Sequence, residues 1–359
     1  MKKRLLFLLA SLMMISATFG LSIARDPYNG AIVMDAATGA VLFEDGADKP
    51  GYPASMLKLM TLFVVLDRIE ADALNLDDSV QVTKEAMRMG GSQVWLDPRE
   101  SFPVEELLYA LIVQSANDAA VALAIHIGGS REGFVRMMNE KAAALGLSPI
   151  TRFQSPHGLP PGKGQRPDMT TPRDFATLCK ALLDTHPQTL DYTSVRKREF
   201  RANAQPLFDP IMMETHNRLL GKVVGCDGLK TGWIRASGYC IAATAQRDDR
   251  RVIVVVMGSA KRPVRDAKAT ELINRYLPEA ARQSDVAPAA PPPDPAASVV
   301  DAVPATADAE AAVDQDDEAG ETSDPSSGGR WKIVGGVLLV AFIAAVVGMA
   351  VRRRLFLSR

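Results

Sequence analysis

Cysteine and histidine are scarce in this chain: it has three cysteines and four histidines among 359 residues. So few cysteines exclude a disulfide-dense fold, and we expect Cys179, Cys226 and Cys240 each to be a buried thiol. A bridge between Cys226 and Cys240, which flank one predicted hairpin, remains an alternative. The histidines occur in unrelated contexts, with no HExxH motif and no paired CxxC motif. We therefore predict no metal site and no cofactor.

Net charge is also nearly absent, at -1 at pH 7, so the chain has no global attraction to nucleic acid, and we predict no nucleic-acid partner. With 47% apolar and 23% charged residues, the composition is that of a globular protein. Residues 284–330 differ, because they lack aromatic residues and are rich in Ala, Pro, Asp, Glu and Ser. This composition cannot bury enough apolar surface to fold, and it predicts a disordered acidic linker.

Both ends of the chain carry features typical of export and membrane insertion. Residues 1–24 combine a basic start, an apolar run and small residues, which predicts a cleaved signal peptide; an uncleaved anchor helix is the alternative. Residues 331–351 contain an unbroken apolar run of about 19 residues, about 29 Å as a helix, and predict a transmembrane helix. The basic tail, residues 352–359, is then cytoplasmic by the positive-inside rule. We expect the body of the protein on the outer, periplasmic face of the cytoplasmic membrane.

Residues 25–283 have the size of one folded domain, with predicted strands near both of its ends and helical segments between them. We predict an α/β (α+β) fold, in which one five-stranded antiparallel sheet is assembled from both chain ends beside a mostly helical insert. Residues 151–172, rich in Pro and Gly, predict a long surface loop, and a last helix is expected over about 265–282. The predicted strands are AIVMD, AVLFE, GLKTGW, GYCIAATAQ and RVIVVVMG.

One lysine interrupts an otherwise apolar helical segment. Between Ser55 and Leu66 the only ionisable side chain is Lys58, and the segment is apolar on every face, which predicts a helix buried all round. Ser55 and Lys58 are three residues apart, so on a helix the amine can reach the hydroxyl. Burial disfavours the charged form of a lysine and lowers its pKa, so Lys58 can accept the proton of Ser55.

Two further short motifs follow Ser55 and Lys58 along the chain. The segment Ser115-Ala-Asn117 lies between two helical segments, and Lys230-Thr231-Gly232 starts the strand-rich end. Each motif alone is compatible with a helix cap or a turn. A second S-x-x-K, at residues 194–197, lies among arginines, and its lysine is expected to be solvated and charged.

S-x-x-K, S-x-N and K-T-G in this order are typical of serine penicillin-recognising enzymes. The segments PASMLKLMT, SANDAAVALA, SPHGL and DGLKTGWIRASGYC resemble the low-molecular-mass D-alanyl-D-alanine carboxypeptidases of peptidase family S11. The resemblance covers roughly residues 27–280. It implies a β-lactamase/transpeptidase-like fold and release of the terminal D-alanine from peptidoglycan stem pentapeptides. It also implies covalent inhibition by β-lactam antibiotics.

The resemblance assigns the chemical steps to three catalytic residues. Ser55 is the nucleophile that forms an acyl-enzyme with the penultimate D-alanine, and Lys58 accepts its proton. Ser115 passes a proton to the leaving amine.

Five substrate-binding residues are implied in the same way. Asn117 hydrogen-bonds the peptide backbone of the substrate, and Lys230 with Thr231 holds its terminal carboxylate. Gly232 allows the strand to approach the substrate. The backbone N–H of Trp233 forms the oxyanion hole together with that of Ser55.

The sequence departs from the family pattern at three positions, and other functions share its motifs. Leu57 stands where threonine is common in the family, and Ile234 stands where a residue with a hydroxyl group is common. His216 stands where an arginine is common, so the sequence does not identify the residue that makes the second contact to the substrate carboxylate. A D,D-endopeptidase that cleaves crosslinks and a weakly catalytic peptidoglycan-binding scaffold are the alternatives. A β-lactamase is less favoured, because no E-x-x-L-N segment follows Asn117.

Overall fold

The structure is a computed structural model that describes residues 22–202 and 208–286. Within these two ranges, no helix has both the length and the apolar character needed to span a bilayer. Several predicted segments lie outside the described residues, wholly or for the most part: the signal peptide (1–24), the linker (284–330), the transmembrane helix (331–351) and the tail (352–359).

The predicted five-stranded antiparallel sheet is confirmed, with the strand order β2-β1-β9-β8-β7. Its first strand pairs with its last, with Val33 opposite Val254, so the two ends of the domain are joined in the middle of the sheet. Strand β7, which carries Lys230-Thr231-Gly232, lies at one edge. The strands are β1 (Gly30–Asp35), β2 (Val41–Asp45), β7 (Cys226–Ile234), β8 (Gly238–Arg247) and β9 (Arg250–Ser259).

The insert between β2 and β7 is mostly helical, as predicted. It also contains two small two-stranded sheets that the sequence did not predict, β3 (Ser79–Gln81) with β4 (Ser101–Pro103) and the hairpin β5 (Lys197–Phe200) with β6 (Ile211–Glu214). Strands of three or four residues are too short to show an alternating pattern. The described helices are α1 (Lys58–Glu70), α2 (Lys84–Met87), α3 (Val104–Tyr109), α4 (Asn117–Gly128), α5 (Arg131–Ala144), α6 (Pro172–Thr185), α7 (Thr189–Thr193) and α8 (Arg262–Tyr276).

Both faces of the sheet are covered, and alternate residues of each strand therefore enter different cores. In β1, Ile32 belongs to the core beneath the helical insert, whereas Val33 belongs to the core beneath α8. Strand β9 divides in the same way, with Val255 in the first core and Val254 in the second. Helix α1 crosses the larger core and is buried from Lys58 to Leu66. This burial holds the start of α1 in place against the sheet.

Two predicted helix boundaries were wrong. The helix expected to begin at Ser55 begins at Lys58, after a 3-10 turn over Ala54–Leu57. The last helix spans Arg262–Tyr276 instead of 265–282. Pro263 suits its first turn, whereas Pro278 has no backbone N–H to continue the helical hydrogen bonds, and the chain continues as a short 3-10 turn.

All three cysteines are free thiols, as expected, and the alternative bridge between Cys226 and Cys240 does not form; Cys179 and Cys240 are buried, whereas Cys226 is only partly buried. The Sγ atom of Cys240 instead accepts a hydrogen bond from the backbone N–H of Gly258, at 3.3 Å. Burial raises the pKa of both Cys226 and Cys240 to about 11, so both thiols stay protonated near neutrality.

Candidate active site

Ser55 lies in the 3-10 turn Ala54–Leu57, directly before α1. Two glycines allow other segments to approach this turn closely. A Cβ on Gly158, where φ is +79°, would overlap the carbonyl oxygen of Ala54. A Cβ on Gly232 would overlap the carbonyl oxygen of Pro53 and lie 3.0 Å from the backbone nitrogen of Ser55. The turn is therefore held between the 151–172 loop and edge strand β7.

The predicted surface loop is thus partly buried: Pro156, His157 and Gly158 have little or no exposed surface. The carbonyl oxygen of Pro156 accepts a hydrogen bond from Thr61 of α1, at 2.8 Å. The carboxylate of Asp168 accepts hydrogen bonds from backbone nitrogens across the base of the loop, including that of Ser155 at 3.0 Å. The expectation of a surface loop was therefore wrong for residues 156–158, which pack against the turn that carries Ser55.

Lys58 is completely buried and its amine contacts three oxygen atoms. Its Nζ atom lies 3.1 Å from Ser55 Oγ, 2.7 Å from Asn117 Oδ1 and 2.9 Å from the carbonyl oxygen of His157. A neutral amine has two N–H donors and one lone pair. The amide and carbonyl oxygens can only accept, so they take both donors, and the lone pair is left for the hydroxyl proton of Ser55. The contact set therefore fits a neutral Lys58 that accepts a hydrogen bond from the nucleophile.

The electrostatic surroundings also favour the neutral amine. Burial, and then the charge of Lys230, hold the pKa of Lys58 well below its usual value of 10.5. The carboxylates of Asp118 and Asp168 act in the opposite direction, with a smaller effect. Lys58 can therefore act as a base near neutral pH.

Ser115 and Asn117 reach the site from a distorted helix junction. Helix α3 continues as a π-helical turn over Ala110–Gln114, and Ser115 follows with a left-handed backbone, φ 61°. Its side chain lines the same cleft as Ser55. The amide of Asn117 joins two elements, since Oδ1 accepts from Lys58 and Nδ2 donates to the carbonyl oxygen of Gly90 at 2.7 Å. In this structure Asn117 positions Lys58; its predicted contact with substrate stays a prediction.

Lys230 and Thr231 lie on β7 at the edge of the sheet, and both are buried. Burial, and then the Arg265 guanidinium, lower the pKa of Lys230 to about 7. Trp233, two residues after Thr231, is 55% exposed at the rim and stacks on Tyr239 at 5.8 Å between ring centroids. The edge strand thus offers a cation and a hydroxyl in line beside Ser55.

A cleft of about 760 Å³ runs over these residues. One wall is the unpredicted hairpin, which contributes Met212 and Glu214 of β6. Burial in the cleft, and then the charges of Lys230 and Lys58, lower the pKa of His216 to about 4, so this histidine is neutral at pH 7. The predicted residues that line the cleft are Ser55, Ser115, Thr231, Gly232 and Trp233.

Sequence reasoning missed the arginines of the cleft. The cleft is lined by Arg218, Arg262 and Arg265. None of these arginines belongs to one of the three catalytic motifs, so the sequence carries no signal for them. Arg265 is buried and donates to the carbonyl oxygen of Cys240 at 3.1 Å. The cleft therefore contains guanidinium groups as well as the neutral His216, and the second contact to the substrate carboxylate stays a prediction.

Two contacts that orient the site were also missed, and both involve groups without a sequence signature. The His157 carbonyl oxygen accepts a hydrogen bond from Lys58. In the sequence, the segment SPHGL indicates family resemblance but gives no role to this carbonyl group. Asp118, next to Asn117, is buried and accepts hydrogen bonds from the backbone nitrogens of Val94 and Leu96, each at 3.1 Å. These hydrogen bonds hold residues 94–96 against the start of α4.

One other group of polar side chains lies elsewhere in the described part of the chain. Asp67, Glu70 and His186 bring their ligand atoms within 4.8 Å of one another. The amine of Lys141, however, lies 2.8 Å from Asp67, and it also lies over the Phe63 ring. The group is explained as an ion-pair network between α1, α5 and the end of α6.

A serine hydroxyl bound to a buried amine, beside a sheet edge that carries a lysine and a threonine, defines a serine–lysine acyl-transfer site. Comparison with known proteins agrees with this class. The family model for D-alanyl-D-alanine carboxypeptidase, peptidase S11, matches residues 27–261. The chain belongs to this family.

The relatives match about two thirds of the chain. The D-alanyl-D-alanine carboxypeptidase DacC of Escherichia coli K12 is 38% identical over 250 residues, 67% of this chain and 59% of the relative. DacF of Bacillus subtilis 168 is 34% identical over 244 residues, 68% of this chain and 60% of the relative. The chain therefore spans about three fifths of the length of these relatives. Penicillin-Binding Protein D2 from Listeria monocytogenes, solved in its ampicillin-bound form, superposes with a TM-score of 0.61 at 32% identity, covering 69% of this chain and 96% of that one.

We expect Gly232→Ala to slow acylation of Ser55 about a hundredfold, because the added Cβ pushes β7 away from the Ser55 turn. The measurement is the rate constant for labelling by a fluorescent penicillin, with the thermal unfolding midpoint recorded for the same variant. Gly90→Ala is the stability control, since a Cβ there meets nothing within 4 Å and should leave the midpoint unchanged. Unaltered labelling of Gly232→Ala would show that the close approach of β7 is not needed.

Proposed function

We propose that this protein is a serine-type D-Ala-D-Ala carboxypeptidase that removes the terminal D-alanine from peptidoglycan stem pentapeptides. The observation that carries the proposal is the buried Lys58 amine, 3.1 Å from Ser55 Oγ, where Ser55 lines a cleft together with Thr231, the residue after the buried Lys230. A binding protein has no need of a buried base beside a partly exposed hydroxyl. A carboxypeptidase needs both that base and a receptor for the substrate carboxylate.

The proposed acylation step combines the contact between Ser55 and Lys58 with the roles that the family resemblance gives to Ser115 and Trp233. Ser55 Oγ attacks the carbonyl carbon of the penultimate D-alanine while its proton moves to Lys58 Nζ. The oxyanion that forms is stabilised by backbone N–H groups at the Ser55 turn and on β7, where Trp233 is the predicted donor. The peptide C–N bond then breaks, and the leaving D-alanine amine takes a proton from Lys58 by way of the Ser115 hydroxyl. An ester on Ser55 remains.

Deacylation reverses the proton path with water as the nucleophile. Neutral Lys58, acting with Ser115, takes a proton from water as the oxygen attacks the ester carbonyl carbon. The ester C–O bond breaks and Ser55 Oγ regains a proton. Free D-alanine and the shortened peptide are the products, so one water is consumed in each cycle.

The terminal carboxylate determines how the peptide lies in the cleft. Charged Lys230 and the hydroxyl of Thr231 bind a carboxylate, and Arg218 and Arg262 add positive charge along the same wall. A β-lactam carries a carboxylate next to its reactive amide, as a D-Ala-D-Ala end does. We therefore propose β-lactams as covalent inhibitors, supported by the Listeria relative in its ampicillin-bound form.

The test is incubation of the purified full-length chain with a glycan-free pentapeptide and with a crosslinked muropeptide, followed by mass spectrometry. Release of D-alanine from the pentapeptide is expected, faster than cleavage of the crosslink. Preferential cleavage of the crosslink would assign the chain as a D,D-endopeptidase. Absence of both products, with penicillin still bound, would favour a peptidoglycan-binding scaffold, and rapid turnover of a chromogenic cephalosporin would indicate a β-lactamase.

The activity is expected to fall above about pH 7 for substrates with a terminal carboxylate. Lys230 is charged below its pKa of about 7 and neutral above it, so kcat/KM decreases as pH rises through that value. The measurement is the pH profile of kcat/KM for a pentapeptide and for its C-terminal amide. The amide is the control, since it makes no ion pair with Lys230 and should lack this decrease. A pentapeptide profile that stays flat up to pH 9 would contradict the role of Lys230.

We also propose that the folded domain acts outside the cytoplasmic membrane. The support is the sequence alone, namely the signal-like residues 1–24 and the apolar run followed by three arginines within residues 331–359. Protease added to intact spheroplasts should therefore degrade the domain while cytoplasmic proteins survive. Protection of the domain until the cells are lysed would contradict this location.

A further inference from the structure

We infer that Trp95 is a docking platform for the pyranose rings of the peptidoglycan glycan strand, beside the catalytic cleft. The inference rests on the proposed function, because the stem peptide is attached to that glycan. Four properties of Trp95 carry it: exposure, a strained backbone, a rigid support and a position next to the cleft.

Trp95 combines an exposed ring with an unfavourable backbone. Its side chain is 62% exposed, and its φ is +50°, in the left-handed region that bulky residues rarely adopt. Folding alone gives no reason for a tryptophan here, because the ring is not buried. Such an outlier is typical of a position that serves binding.

The strained backbone is held from two sides by buried charged groups. The carboxylate of Asp118 accepts hydrogen bonds from the backbone nitrogens of Val94 and Leu96, each at 3.1 Å. The guanidinium of Arg201 donates to the carbonyl oxygens of Val94 and Trp95, each at 2.9 Å. These contacts fix both peptide groups that flank the ring.

Arg201 is itself fixed, since its guanidinium donates to both carboxylate oxygens of Glu100, at 3.0 and 2.7 Å. The support of Trp95 is therefore a chain of buried charge-assisted hydrogen bonds, which are the strong class. A platform that is rigid before binding loses little conformational entropy when a ligand stacks on it.

Trp95 lies near the active site through the segment that carries it. Ser92 lines the catalytic cleft, and Trp95, which lines a hollow of about 280 Å³, follows three residues later, so their Cα atoms are at most about 11 Å apart. Ile211 of β6 also lines the hollow, and its neighbour Met212 lines the cleft from the opposite face of that strand. A polymer whose peptide branch enters the cleft can therefore lie across the hollow.

The lining of the hollow suits a sugar chain. Met87 and Phe208 add apolar surface beside the indole ring, which matches the C–H faces of a pyranose. Gln93 and Asp209 border that surface with groups that hydrogen-bond hydroxyls and amides, whereas the Asp97 carboxylate already accepts hydrogen bonds from Arg99. The carboxylate end of the peptide is already assigned to Lys230 and the arginines, and of the remaining parts of the substrate the sugar rings match this apolar lining best.

The experiment compares two substrates in the purified full-length chain and in Trp95→Ala. It measures kcat/KM for D-alanine release from glycan-free pentapeptide and from glycan strands that carry pentapeptides. We expect the ratio of the glycan value to the peptide value to fall about tenfold in Trp95→Ala, as for loss of an aromatic anchor, and to recover in Trp95→Phe. Val224→Ala is the matched control, because Val224 is 72% exposed and lines neither the cleft nor the hollow.

An unchanged ratio in Trp95→Ala would overturn the inference, and so would an equal loss on both substrates, which would mean that Trp95 only supports the fold. A second measurement, binding of glycan strands stripped of their peptides by an amidase, separates the inference from the proposed function. If the chain releases no D-alanine from either substrate, the carboxypeptidase proposal fails. The inference then stands only if Trp95→Ala weakens binding of the stripped strands about tenfold.

Discussion

Replacing Ser55 with alanine is expected to abolish both D-alanine release and covalent labelling by penicillin, a loss of at least about 10⁴-fold in kcat. The reason is that the hydroxyl is the only nucleophile in the cleft for which the described residues provide a base, at 3.1 Å. The substitution should leave the fold intact, because Ser55 Oγ makes one hydrogen bond and that bond is to Lys58. Gel fluorescence with a labelled penicillin and a D-alanine assay measure the two losses.

The chain supplies a matched control for this prediction in its second S-x-x-K segment. Ser194 is exposed, and Lys197, three residues later, is 61% exposed with a Glu214 carboxylate 3.7 Å away. Its amine is solvated, so Ser194→Ala should leave labelling and activity unchanged. Labelling that persists in Ser55→Ala and disappears in Ser194→Ala would show that Ser194, and not Ser55, is the nucleophile.

Replacing Lys58 with arginine is expected to slow acylation by about 10² to 10⁴, the usual contribution of a general base. A guanidinium stays protonated in proteins, so it places a permanent positive charge in the site and cannot accept the proton of Ser55. The variant therefore keeps hydrogen-bond donors at residue 58 and removes its basicity. The measurement is the second-order rate constant for penicillin acylation, determined at pH 7.

The larger guanidinium group is placed in a fully buried position, so loss of fold is the competing explanation. Lys58→Met is the companion variant, because methionine is unbranched and fits the volume without charge. It leaves Asn117 Oδ1 and the His157 carbonyl oxygen without this donor, which costs about 1–3 kcal/mol for each buried group. Both variants should bind substrate in a folded state and acylate slowly. Near-native acylation by either one would show that Lys58 is not the base.

Much of the fold could be predicted because its sheet strands are long. Strands β8 and β9 have ten residues each, and runs such as RVIVVVMG are rich in β-branched residues, which favour strands. The two small two-stranded sheets could not be predicted, since β3 and β4 have three residues each and form through contacts with distant segments. One of those sheets nevertheless forms a wall of the cleft.

In the site, contacts between residues close in sequence could be predicted, whereas contacts between distant segments could not. The contact of Ser55 with Lys58 follows from their spacing on one helical turn, and the burial of Lys58 follows from the apolar residues around it. The acceptors for the amine could be predicted only in part. Asn117 belongs to a motif, whereas the carbonyl oxygen of His157 is a backbone group that any residue carries. The left-handed backbone of Trp95 leaves no mark on the sequence either.

The helix boundary at Ser55 was predicted wrongly for a physical reason. The apolar pattern continues through Ala54–Leu57, and it does not distinguish a 3-10 turn from the first turn of an α-helix. The 3-10 turn lies where β7, at Gly232, and the loop at Gly158 both approach the backbone closely. It is these tertiary contacts that present the hydroxyl of Ser55 to the cleft.

The central requirement is that the amine of residue 58 is uncharged when the enzyme works. An NMR titration of the lysine side chains labelled with ¹³C at Cε tests it directly, with the Lys58 signal assigned by its absence in Lys58→Met. The Lys58 signal is expected to titrate well below the ordinary lysine value of 10.5. A Lys58 signal that titrates with those of the exposed lysines, near 10.5, would contradict the role of Lys58 as the base.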